Sequence, residues 1–115
     1  MDERVHINVS TVDYDKTSKV MIQQLSLLEE MVHSEDSFVL TDSEFAFGWH
    51  FFVLSVNRTL IQKLESMMAE DFQKLKGKGT DKKFLTWLSK NIESKSPRFK
   101  FAIKEEMESS KFGIF

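Results

Sequence analysis

Cysteine is absent from this 115-residue chain, which removes disulfides, thiolate zinc sites and thiol nucleophiles from consideration. One proline and four glycines leave little turn chemistry. That scarcity argues for long regular elements over a turn-rich all-β domain. No apolar run is long enough to cross a bilayer. The most apolar stretch, residues 45–56, spans about a dozen residues where a membrane helix needs roughly 20, and it reads as buried core. The opening residues Met1-Asp2-Glu3-Arg4-Val5-His6 lack the basic and apolar regions of a secretory signal. Together with the missing cysteines, this gives the expectation of a cytoplasmic protein with no membrane contact.

What the chain does have is apolar bulk. Hydrophobic residues make up 41% of it, with 11 Phe, 2 Trp and 1 Tyr. A disordered chain could not carry that supply, and a chain of this length closes one core without staples. No internal repeat, low-complexity tract or long linker divides it, so residues 1–115 read as one domain.

Periodicity predicts mostly helix. Residues 5–12 alternate, with Val5, Ile7 and Val9 on one side, but a lone strand is not stable, so they read as an extended N-terminal arm. A first helix is expected from about Lys16 to Ser34, with Met21, Leu25, Leu28 and Val32 as its stripe and Asp15 or Thr17 as its cap. Thr41-Asp42-Ser43-Glu44 fits a capping box between Leu40 and Phe45. It predicts a second helix running to about Lys76, interrupted only by a costly Gly48. Within it, Phe51-Phe52-Val53-Leu54 could locally be a strand, but the box and the downstream helical period favour helix.

Gly77 suits a left-handed helix end, and Thr80 or Asp81 opens a third helix carrying Phe84, Leu85, Leu88 and Ile92. Ser96-Pro97 then resembles a helix start, with a fourth helix to about Ser110. The expected fold is an all-α compact bundle of about four helices. The alternative is an α+β domain with residues 5–12 and 98–104 as strands.

No polar motif completes a reactive centre. Glu30-x-x-His33 matches one half of a di-iron carboxylate site but has no second half in the chain. Gly77-Lys78-Gly79-Thr80 has the wrong order for a phosphate-binding loop. No serine sits in a Gly-x-Ser-x-Gly elbow. The expectation is a protein that is not an enzyme and needs no cofactor or metal.

Charge carries the strongest signal. Residues 1–72 hold 13 acidic and 5 basic side chains, a net −8; residues 73–115 hold 11 basic and 5 acidic, a net +6. Between Val20 and Asn57 there is no Lys or Arg, while Glu29, Glu30, Glu35, Asp36, Asp42 and Glu44 are all present. Such a cluster would steer a basic partner. The leading expectation is therefore a small inhibitor, such as an immunity protein, whose acidic face covers a basic groove on a toxin or nuclease.

Nucleic-acid binding through the basic C-terminal half is the alternative, with Lys82, Lys83, Arg98 and Lys100 on phosphates and Arg98-Phe99-Lys100-Phe101 as a stacking surface. A third possibility is a subunit or adaptor of a larger assembly that uses the apolar terminus Phe112-Gly113-Ile114-Phe115.

Overall fold

The structure, a computed structural model, describes residues 4–104. It is an α+β fold, so the all-α bundle expectation is corrected and the α+β alternative fits. The chain runs β1 (Arg4–Thr11), α1 (Tyr14–Val32), β2 (Phe38–Leu40), β3 (Glu44–Ala46) and β4 (Trp49–Asn57). It continues through α2 (Arg58–Met67), α3 (Ala69–Gln73), α4 (Thr80–Ile92) and β5 (Phe99–Ile103).

The strands form one antiparallel sheet in the order β2-β4-β1-β5, with β3 also pairing to β4. Since β2 pairs with residues 54–56 of β4 and β3 with residues 49–51, these two short strands act as one broken edge strand. With that edge counted once, the spatial order becomes fourth, first, third, second. This is the strand order of a split βαβ, ferredoxin-like sheet.

The arm finds its partners at a distance in sequence. β1 pairs with β4 along Arg4↔Asn57 to Thr11↔His50 and with β5 along Ile7↔Ile103 to Thr11↔Phe99. Its alternation is therefore that of a central strand with one face buried. Val5, Ile7 and Val9 meet Phe52, Leu54 and Val56 of β4 on the helix side. Met21, Leu25 and Leu28 of α1, Leu60, Ile61 and Leu64 of α2, and Phe84, Leu88 and Ile92 of α4 close the core above them.

Helix α1 begins earlier than expected, at Tyr14, because Asp13 rather than Asp15 or Thr17 accepts the Lys16 amide at 3.1 Å. Thr17 instead lies buried within 2.6 Å of the Thr11 hydroxyl and 2.9 Å of the Ser96 hydroxyl. This chain of three hydroxyls ties the strand β1 and helix α1 to the approach of β5.

Two expected helix starts are strands, and the second expected helix is helical only from Arg58 onward, as α2 and α3. The capping box at Thr41 does not form: the Thr41 amide donates to the Val53 carbonyl (2.9 Å), and its Oγ1 accepts from the Val53 amide (2.8 Å). A residue bonded both ways across to β4 cannot open a helix. Residues 49–57, rich in aromatic and β-branched side chains, bury only every second residue, and the helix begins at Arg58. In the same way, the Ser96 hydroxyl is drawn to Thr17 and to the Pro97 carbonyl, and Phe99–Ile103 joins β1 as β5. The third helix is found where expected, from Thr80. The end of the expected fourth helix and Phe112–Phe115 lie outside the described residues.

Candidate protein-docking surface

Helices cover one face of this sheet and leave the other open. On β4 the core takes Phe52, Leu54 and Val56, so Trp49, Phe51, Val53 and Ser55 face away from the helices. The registers extend this face sideways to Ser10 and Asn8 on β1, Lys100 and Ala102 on β5, and Glu44 and Ala46 on β3. One row crosses the sheet as Lys100, Ser10, Phe51, Glu44; the next reads Ala102, Asn8, Val53. These side chains line a groove of about 730 Å³, with Lys100 and Ala102 on one bank and Thr41, Asp42 and Glu44 on the other. Trp49 sits at the end of this face with the Arg98 guanidinium 5.9 Å and the Lys100 ammonium 5.4 Å from its ring centre. Both distances fall within cation–π range.

The hairpin that joins β3 to β4 has a two-residue turn, Phe47-Gly48, since Ala46 pairs with Trp49. Both turn residues have positive φ, 54° at Phe47 and 82° at Gly48, as a type I′ turn requires. Asparagine or glycine normally fills the first position. A side chain as bulky as phenylalanine pays roughly 1–2 kcal/mol for left-handed backbone. Phe47 recovers none of that by burial, being 97% exposed. Phe45, two residues before it, is 66% exposed and leans on His50 with ring centres 4.8 Å apart. Backbone strain that serves no packing is a pointer to function.

The acidic residues singled out in the sequence do not form one face. Glu29, Glu30 and Glu35 line a groove of about 790 Å³ together with His33 and Lys63. The Glu29 carboxylate accepts the Ser37 amide at 2.8 Å, a structural contact that holds the turn after α1. Asp36 is exposed at a positive φ of 51° in that turn. Asp42 and Glu44 belong instead to the open sheet groove.

The basic residues divide as well. Lys82 and Lys83 are on α4, where the Lys83 ammonium donates to the Gln73 carbonyl, whereas Arg98 and Lys100 accompany Trp49. Phe99 and Phe101 alternate with those two cations and lie against the core on the helix side. They do not form a stacking surface with them.

Among the described residues no group of three or more His, Asp or Glu side chains is placed to hold a metal ion, and no helix is long and apolar enough to cross a membrane. Sequence reasoning missed Phe45, Phe47, Trp49 and Phe51 as surface residues because it assigned them to a buried helix. The available signal was Phe47-Gly48, an X-Gly pair between two aromatic-rich runs of strand length. Comparison with protein-family models, curated proteins and solved structures finds no match to this chain.

Proposed function

We propose that this chain is a protein-binding module, of the kind that acts by occluding a site on its partner, and that it docks through the tip of the β3–β4 hairpin. One observation carries the reading: Phe47 is held in a strained, fully exposed conformation that the fold itself does not need. Aromatic side chains are enriched at protein interfaces and supply much of the energy at their centres. A two-residue turn on a sheet strand presents them in one geometry before the partner arrives, which lowers the ordering cost of binding.

This keeps the inhibitory role expected from the sequence but moves the contact from the carboxylates of residues 29–36 to the hairpin. Those carboxylates steer a basic partner and supply little contact, because Glu29 already accepts the Ser37 amide and Lys63 lines the same groove. Nucleic-acid binding has weaker support, since Lys82 and Lys83 stand on a different element from Arg98 and Lys100 and the acidic Glu44 flanks Phe51.

Capture from a lysate of the native host tests the reading when three baits are run together. The wild type and a Glu30→Gln/Glu35→Gln/Asp36→Asn variant should retain the same partner protein, while Phe45→Ser/Phe47→Asn should lose it. A partner that survives the hairpin change and is lost with the acid change would restore the acidic face. A single-stranded oligonucleotide that binds at low salt, with no protein captured, would replace the reading altogether.

A further inference from the structure

The open sheet face is separate from the hairpin tip, and its charge layout identifies an occupant. We propose that it is the interface of a symmetric dimer in which two copies of this chain pack sheet against sheet. The two-fold axis runs parallel to the strands, between β1 and β4.

An axis in that position keeps height along the strands and reverses the order across them, so each row meets its own mirror order on the second copy. The row Lys100, Ser10, Phe51, Glu44 then sets Lys100 of each copy against Glu44 of the other, and Ser10 against Phe51. In the neighbouring row Asn8 meets Val53.

A surface whose opposite charges exchange under its own two-fold rotation is complementary to itself, as an isologous interface must be. A foreign partner imposes no such requirement. Pairing also withdraws apolar surface that the fold leaves in water, including Phe51, which is 41% exposed. Because height is kept, both hairpins project from the same end, and the dimer offers its partner two Phe45–Phe47 tips side by side.

The face is modest. Strands of 8, 9, 5 and three plus three residues, rising about 3.3 Å per residue and about 4.8 Å apart, give a footprint of roughly 440 Å² per copy, below the ~800 Å² per partner of a standard stable complex. A reversible, concentration-dependent dimer is expected, not an obligate one.

Sedimentation equilibrium of the full chain from about 10 µM to about 500 µM reads this directly. The wild type should show reversible dimerisation. Glu44→Lys alone and Lys100→Glu alone each place like charges at both ends of the row and should weaken the dimer roughly tenfold or more. Mixing the two variants should restore it, because a heterodimer of Glu44→Lys with Lys100→Glu has opposite charges at both contacts. Circular dichroism confirms that each variant is folded.

A wild type that stays monomeric throughout overturns the proposal, as do single variants that dimerise as tightly as the wild type. A mixture that fails to associate does so too. A monomeric wild type that still captures its partner through Phe45 and Phe47 would sink the dimer and leave the hairpin reading standing.

Discussion

Strand β4 shows two surfaces made by one run of residues. Phe52, Leu54 and Val56 point to the helices and are almost wholly buried; Trp49, Phe51 and Val53, one residue out of phase, remain on the open face. The chemistry of the two sets is nearly the same, so composition does not separate them. Position does. The buried set closes the core with β1 and three helices, while the exposed set continues into a hairpin whose tip bears a strained phenylalanine. More apolar side chain is present than the fold consumes, and part of that excess, Phe45, Phe47 and Phe51, gathers at the hairpin end of the sheet.

If that division is right, substitutions on the two faces should part company. Leu54→Ala removes a fully buried side chain and should cost about 2–5 kcal/mol in urea unfolding. Thr17→Val breaks the buried hydroxyl chain to Thr11 and Ser96 and should cost about 1–3 kcal/mol for the two hydrogen bonds lost. The same denaturation series should show Asp13→Ala losing about 1 kcal/mol with the amide cap of α1. On the open face, Phe51→Ala should shift stability by no more than about 0.5 kcal/mol when measured on dilute, monomeric protein. A loss at Phe51 as large as that at Leu54 would erase the distinction between the faces.

The parts of this architecture legible in the sequence are those with a local cause. α1 and α4 carry apolar stripes at helical spacing, and Val5, Ile7 and Val9 alternate cleanly, so helix and strand are each visible without a partner. β4 was hidden because both of its faces are apolar from Phe51 to Leu54, which blurs a period of two into a continuous run. Thr41-Asp42-Ser43-Glu44 then supplied a convincing but unused helix start. β5 had no local evidence strong enough to decide, since its partner β1 lies some ninety residues earlier, as in the pair Ile7↔Ile103.

The candidate site followed the same logic. Charge was readable residue by residue, and Asp42, Glu44, Arg98 and Lys100, singled out for it, all lie exposed. Which of them share a face was not readable, because strand register alone places Lys100 and Glu44 on one row and sends Glu29 and Glu30 elsewhere. Phe45 and Phe47 were assigned to the interior for the opposite reason: an aromatic residue in an apolar run reads as core unless a turn is recognised beside it.

The sharpest test of the division between fold and surface is the unfolding free energy of Phe45→Ser/Phe47→Asn at low protein concentration. Asparagine accepts left-handed backbone at lower cost than phenylalanine, and neither aromatic side chain is buried. The variant should therefore match the wild type or exceed it by up to about 1 kcal/mol. A loss of more than about 1 kcal/mol would show that the two rings hold the structure together, contradicting their assignment to a docking surface.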